Sequence, residues 1–98
     1  MTTRLEIRPA DHTALADGRP LALTLKELEL LTVLVHNADR VMTREELVAT
    51  VWKRPYRKSD RSVDVYVGRL RSKLRRAIPE RSFIHTQTGI GYRFSAFG

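Results

Sequence analysis

Residues 61–78 combine an aliphatic stripe with an arginine-rich face at helical spacing. Steps of four, three, four and four residues separate the members of the stripe, which are Val63, Val67, Leu70, Leu74 and Ile78. Such spacing predicts an amphipathic α-helix. At about 100° per residue, the opposite face contains no acid and consists of Arg61, Ser62, Val65, Arg69, Ser72 and Arg76. We expect the stripe to be buried and the arginines to face a polyanion, of which DNA is the first candidate.

The first part of the chain carries a strand pattern. Apolar and charged residues alternate in residues 4–8, which predicts a half-buried strand. A second strand fits residues 12–15, and Asp17-Gly18 after it is a strong hairpin-turn pair. Residues 20–23 resume the alternation. These segments predict a small antiparallel sheet of three or four strands.

Two capping boxes predict the beginnings of two helices. In each box a threonine precedes a glutamate by three residues, first as Thr24 and Glu27 and then as Thr43 and Glu46. The apolar residues that follow are Leu28, Leu31, Leu34 and Val35 in the first helix and Leu47, Val48, Val51 and Trp52 in the second. Each set predicts a helix that packs one side against a core.

Caps and breakers bound the three predicted helices. The first helix is expected to end at Asn37, and Pro55 to stop the second. Ser59 or Asp60 is the expected N-cap of the third helix, and Pro79 follows its end.

Residues 83–94 predict a closing β-hairpin. Gly89 and Gly91 lie at its turn, where we interpret them as backbone requirements. Tyr92 and Phe94 are expected in the core.

Composition limits the partner and the chemistry. The chain has 98 residues, enough for one domain, and a formal net charge of +7. Eleven of its Lys and Arg residues lie between Lys53 and Arg81, against three acids, so the positive charge is localised.

The absence of cysteine excludes disulfides and thiolate metal sites. The chain carries neither an apolar run of membrane-spanning length nor a signal-peptide pattern at its start, so a cytoplasmic location is expected and no membrane partner.

The sequence gives little support for catalysis. His12, His36 and His85 are scattered, without carboxylates at ligand or triad spacing. No phosphate-binding glycine motif is present. We therefore expect no enzyme activity, no cofactor and no metal site.

The order of elements is that of a winged helix-turn-helix. Within that order, three stretches resemble the effector domain of OmpR/PhoB-type bacterial response regulators: LTLKELELLTVLVHNADRVMTREELVATVW, RSVDVYVGRLRSKL and IHTQTGIGYRF. The resemblance covers residues 5–94. It implies an α+β fold with a four-stranded N-terminal antiparallel sheet, a three-helix bundle with recognition helix 61–77, and a C-terminal β-hairpin wing at 83–94.

The resemblance also implies roles for individual residues. Val65 and Arg69 match the positions that read base edges in the major groove, where a valine meets a thymine methyl and an arginine meets guanine. Phosphate-contacting or flanking positions are Trp52, Arg61, Ser62, Tyr66, Gly68, Arg71, Ser72, Lys73 and Arg76. Wing positions near the minor groove are Thr86, Thr88, Gly89 and Ile90. A loop that contacts RNA polymerase corresponds to Lys53, Arg54, Tyr56, Arg57 and Lys58.

At several of these positions the sequence allows more than one interpretation. Thr88 replaces an arginine that enters the minor groove in many relatives, and threonine is shorter. Gly68 either lets the backbone approach DNA closely or removes one contact. Arg71 either contacts phosphate or pairs with Asp64 or Glu45, while Trp52 is chiefly a core residue that also has an indole N–H to donate. Two further arginines, Arg75 and Arg81, are expected to be solvated.

We therefore expect residues 1–98 to form one effector domain, without a receiver domain in this chain. Its expected role is sequence-specific binding of double-stranded DNA and regulation of transcription in a bacterial cytoplasm. Expected partners are direct repeats bound by a head-to-tail homodimer, and RNA polymerase. The alternative is a protein-interaction module with weak non-specific DNA affinity. RNA binding is less supported, because only Tyr56 and Tyr66 are available to stack on bases.

Overall fold

The computed structural model describes residues 4–95. Three antiparallel strands in the order β1-β2-β3 form an N-terminal sheet: β1 Leu5–Arg8, β2 Thr13–Ala16 and β3 Arg19–Pro20. A 3₁₀ turn, Pro9–Asp11, joins the first two strands. The Asp17-Gly18 turn between β2 and β3 is confirmed, with positive φ at both residues (50° and 79°), as type I′ hairpin turns require.

The N-terminal sheet is smaller than the four strands that the family resemblance implies. Leu21 still donates its N–H to Ala14 O at 2.8 Å, but the N–H of Leu23 turns back to Leu21 O at 3.0 Å. The chain thereby leaves the sheet to enter the first helix. Within residues 4–95 the sheet therefore has three strands, one of the two numbers that the residue pattern predicts, and the fourth strand implied by the resemblance is wrong.

The remaining elements are three helices and a second sheet within residues 4–95. The helices are α1 Leu25–His36, α2 Arg44–Leu47 and α3 Ser62–Ala77. The second sheet has the order β4-β6-β5 and consists of β4 Val41–Thr43, β5 Ile84–Gln87 and β6 Gly91–Phe94. Strands β5 and β6 form the predicted hairpin, the wing. No helix in the described part of the chain has the length and apolar character needed to cross a bilayer.

Both capping boxes are confirmed. Thr24 Oγ1 accepts from the N–H of Glu27 at 3.2 Å, and Glu27 Oε1 accepts from the N–H of Thr24 at 2.9 Å. Thr43 and Glu46 make the same two bonds at 3.0 Å each. Helix α1 also ends as predicted, with Asn37 as its C-cap.

The second and third helices differ from their predicted bounds. After the four residues of α2 the chain continues as a π-helical turn, Val48–Trp52, which ends because Lys53 adopts a left-handed conformation with φ 55°. The helical segment thus stops before Pro55 is reached. The N-cap of α3 is Arg61 rather than Ser59 or Asp60. Asp60 still caps the helix from one position earlier, because its Oδ1 accepts from the N–H of Ser62 at 2.9 Å.

The core lies between the helices and the two sheets. All five members of the predicted aliphatic stripe of α3 are buried, none more than 3% exposed. They join Leu30, Leu31 and Leu34 of α1 in one cluster. Tyr92 and Phe94 are buried as predicted, and the ring of Phe94 stacks on Phe83 with centroids 5.9 Å apart.

Strand β4 fixes the wing to the helical bundle. Thr43 faces Gly91 across the β4–β6 pair, and a Cβ atom at Gly91 would lie 1.9 Å from Met42 O. Gly91 is therefore required for the close approach of two strands, whereas the hairpin turn itself depends on Gly89, with φ 77°.

Candidate nucleic-acid interface

The outward face of α3 is exposed as predicted. We use this name for Arg61, Ser62, Val65, Arg69, Ser72 and Arg76, of which only Ser62 is half-buried. Val65 is 46% exposed although it is aliphatic. An exposed β-branched residue gives a helix no intrinsic advantage, so its position suits contact with an apolar group of a partner, such as a thymine methyl.

Asp64 anchors α3 to the bundle and to the wing. Its Oδ1 accepts from Arg44 Nε at 2.9 Å and also from the hydroxyl of Tyr92. Partial burial acts to raise the pKa of Asp64, but the hydrogen bonds from Tyr92 and Arg44 outweigh it, so this pKa lies below its usual value. The role of Asp64 was not predicted. The sequence feature that could have indicated this role is that Asp64 is the only acid in residues 61–78.

Lys73 has a different partner from the phosphate that the resemblance implies. Its Nζ lies 2.6 Å from Glu27 Oε1 and donates to Ala22 O at 2.7 Å. Glu27 is only 1% exposed, and the Lys73 side chain is 33% exposed. A carboxylate that is this buried needs a compensating cation. Lys73 therefore serves to neutralise Glu27 and to tie α3 to the start of α1.

Arg71 links α3 to the wing rather than pairing with Asp64 or Glu45. Its Nε and Nη2 donate to Ile84 O at 3.1 and 3.0 Å, and Nη2 also donates to Thr86 Oγ1 at 2.6 Å. Neither predicted ion pair forms within residues 4–95, where Asp64 Oδ1 instead accepts from Arg44 and Tyr92. Arg71 thus fixes the angle between the outward face and the hairpin.

Trp52 and Tyr66 form an aromatic pair beside the outward face. Their ring centroids are 5.3 Å apart and the rings are nearly perpendicular, at 81°. Trp52 is half-buried and packs against the core cluster, in agreement with its predicted core role. The guanidinium carbon of Arg69 lies 4.9 Å from the centroid of the Tyr66 ring.

The loop predicted to contact polymerase separates into an anchored and an exposed part. Arg54 pairs with Asp60, holds the pKa of that carboxyl far below its usual range, and donates to Ser62 Oγ at 2.8 Å. Half-buried Tyr56 packs on the core cluster. The exposed residues of the loop include Lys53, Arg57 and Lys58.

The wing presents a short exposed tip. Thr88, Gly89 and Ile90 form the turn and are exposed, Ile90 by 57%. Thr86 lies on β5, where its hydroxyl accepts from Arg71. In the part of the chain that the structure describes, Arg71 makes no such contact with the three residues at the tip, and the N–H of Ile90 donates to Gln87 O at 2.9 Å.

Cations without a carboxylate partner concentrate on α3 and on the loop before it. Elsewhere, Arg4, Arg8 and Arg40 pair with acids of their own surroundings. Within residues 4–95, no carboxylate oxygen lies within 4 Å of the side-chain nitrogens of Lys53, Arg57, Lys58, Arg69, Arg75 or Arg76. Arg19 and Arg93 share this property away from α3. The excess charge is thus displayed mainly around α3, and Arg75, which was expected only to be solvated, contributes to it.

Gly68 gives a testable result about stability. A Cβ atom built on it meets nothing within 4 Å, and its φ is not positive. Gly68→Ala should therefore raise the free energy of unfolding by about 0.5–1 kcal/mol, because glycine weakens a helix interior. Urea unfolding of both proteins measures this difference. A decrease in stability would mean that the glycine is needed by the fold itself.

Comparison with known proteins identifies the fold family. A family model described as "Transcriptional regulatory protein, C terminal" matches residues 18–94. The chain belongs to this family. The predicted resemblance to OmpR/PhoB-type effector domains is thereby confirmed, and the family is not one of enzymes.

Individual relatives agree with the family. The chain is 41% identical over 93 residues to the transcriptional regulatory protein ResD of Bacillus subtilis. The matched region covers 94% of this chain but only 39% of ResD, so the chain spans well under half of that relative. Its fold is similar to the DNA-binding domain of CpxR from E. coli (TM-score 0.88, 28% identity, 100% of this chain and 96% of that one). It is also similar to the Klebsiella pneumoniae RstA DNA-binding domain in complex with the RstA box (TM-score 0.87, 31% identity, 98% of this chain and 96% of that one). The winged-helix fold is confirmed.

Proposed function

We propose that this domain binds double-stranded DNA sequence-specifically and regulates transcription, as the output domain of a two-component response regulator in the bacterial cytoplasm. The observation that carries this proposal is the outward face of α3, where the exposed Val65, and Arg69 and Arg76 without a carboxylate partner in residues 4–95, lie on a helix whose opposite side is buried. A helix of this kind fits the major groove. The relatives named above support the same function.

The residues divide into those that read bases and those that hold the backbone. Val65 and Arg69 read base edges, the first against a thymine methyl and the second against guanine O6 and N7. Phosphate contacts come from the rest of the surface around them: Trp52, Arg61, Ser62, Tyr66, Gly68, Arg71, Ser72 and Arg76. Arg71 keeps a place in this set as a flanking residue, since its main hydrogen bonds go to the wing. We do not include Lys73 among the proposed phosphate contacts, because its ammonium neutralises Glu27.

Partners beyond a single duplex are part of the proposal. Two copies bind direct repeats head to tail, and the wing tip with Thr88 and Ile90 lies near the minor groove. Thr88 reaches less far than an arginine, so the wing adds little sequence readout. The exposed Lys53, Arg57 and Lys58 face RNA polymerase, while Arg54 and the half-buried Tyr56 anchor the loop to the rest of the domain.

Salt dependence tests the proposal against a protein-interaction module. Each neutralised phosphate contributes about −0.9 to the slope of log K against log salt. We expect the 98-residue chain to bind a labelled duplex with a slope of about −3 or steeper, measured by fluorescence anisotropy. Indifference to duplex DNA at low salt would instead support the interaction module.

Arg61→Ala provides a matched test of the phosphate contacts. The Arg61 side chain is 79% exposed at the start of α3. Its loss should weaken binding to all duplexes alike and reduce the salt slope by about one unit. Arg8→Ala removes the same charge from β1 and should leave the slope unchanged. A change in sequence preference after Arg61→Ala would contradict the assignment to phosphate.

A further inference from the structure

A chain of ring contacts connects the core to the outward face of α3. Trp52 packs on the core cluster, and Tyr66 meets it edge to face at 5.3 Å. The guanidinium of Arg69 also contacts the Tyr66 ring, with its Cζ 4.9 Å from the ring centroid. The ammonium of Lys26 lies 5.9 Å from the Trp52 ring and donates to Val51 O at 3.1 Å. Tyr66 therefore contacts both the half-buried indole of Trp52 and the exposed Arg69.

This contact is the one by which the described structure orients Arg69. Residues three apart on a helix are neighbours, and a guanidinium over an aromatic face is attracted by the ring. Within residues 4–95, Arg69 has neither a carboxylate within 4 Å nor a side-chain hydrogen bond. Without the ring its long side chain would sample many rotamers, and all of that freedom would be lost on binding a base.

We propose that Tyr66 is a specificity-determining positioning residue, whose ring, held by Trp52, orients the Arg69 guanidinium for bidentate hydrogen bonding to guanine. The inference rests on the proposed function, in which Arg69 reads a base. It differs from the phosphate role implied for Tyr66, because that role depends on the phenolic hydroxyl and this one depends on the ring. Phenylalanine keeps the ring and lacks the hydroxyl, so Tyr66→Phe distinguishes the positioning role from the phosphate role.

The test measures the binding affinities of Tyr66→Phe and Tyr66→Leu for two duplexes. These duplexes differ only at the base pair where Arg69→Ala removes the binding preference. Tyr66→Leu should lower the ratio of the two affinities by about 2- to 5-fold, the range of an exposed cation–π contact. Tyr66→Phe should keep the wild-type ratio. Because both affinities come from the same protein sample, a loss of folded protein in either variant cancels from the ratio.

Double variants complete the test. With Arg69→Ala already present, Tyr66→Leu should leave the ratio unchanged, since there is no guanidinium left to orient. If Tyr66→Leu keeps the wild-type ratio, or if Tyr66→Phe lowers that ratio as far as Tyr66→Leu does, the Tyr66 ring has no positioning role although Arg69 still reads a base. If Arg69→Ala removes the binding preference at no base pair, Arg69 does not read a base and Tyr66 has no base-reading arginine to position.

Discussion

Lys73→Met should lower the free energy of unfolding by about 2–4 kcal/mol, because it leaves a buried carboxylate without its cation. Glu27 is 1% exposed and its Oε1 lies 2.6 Å from Lys73 Nζ. Methionine keeps most of the side-chain volume, so the change tests the charge rather than the packing. Urea unfolding at pH 7 measures the loss. Lys58→Met is the matched control, since an exposed lysine should change stability by no more than about 0.5 kcal/mol.

The pH dependence of the same pair follows from the pKa of Glu27. Burial acts to raise this pKa, but the hydrogen bonds from Lys73 and from the N–H of Thr24 outweigh burial and lower it below its usual value. A carboxyl whose folded pKa is lowered stabilises the fold above its unfolded pKa of about 4.3 and loses that contribution as pH falls further. The difference between wild type and Lys73→Met should therefore shrink as pH falls from 7 towards 3. An unchanged stability, together with weaker binding to all duplexes, would restore Lys73 to the phosphate contacts.

Arg69→Ala should cost about 1–3 kcal/mol of binding to the preferred duplex and remove the preference at one base pair. The cause is the loss of two hydrogen bonds to guanine, which no other base offers in the same geometry. Arg69 is exposed and makes its contact with the Tyr66 ring, so the fold should be unaffected. Affinities for duplexes with each base at every position measure the effect.

Arg75→Ala is the control for this prediction. It removes the same charge from the same helix, and Arg75 is also exposed without a carboxylate partner in the described residues. Only a small and uniform weakening is expected. If Arg69→Ala gave the same uniform result, Arg69 would be a general cation and not a base reader.

Local rules were sufficient wherever the structure depends on near neighbours. The capping boxes at Thr24 and Thr43 need only residues three apart, and both are present. The stripe of α3 needs only its own spacing, and it is buried throughout. The Asp17-Gly18 turn is likewise set by the two residues that form it.

Distant partners explain what the sequence did not reveal. Strand β4 has three residues, and its partner β6 lies about fifty positions later, so no local pattern predicts it. Lys73 meets Glu27 across 46 positions, and Arg71 meets Thr86 across 15. The phosphate role of both cations was implied by the family resemblance, and neither the resemblance nor the spacing within α3 shows which distant neighbour a long side chain reaches.

Selection of bound duplexes from a random pool by the 98-residue chain tests the central claim, that the outward face of α3 reads DNA sequence. Val65 and Arg69 are four residues apart, about 6 Å along the helix, so the bases they read lie close together. We predict enrichment of one motif in which a G·C pair that depends on Arg69 lies within about two base pairs of a T·A pair that depends on Val65. A bound pool that remains as random as the input would contradict the claim.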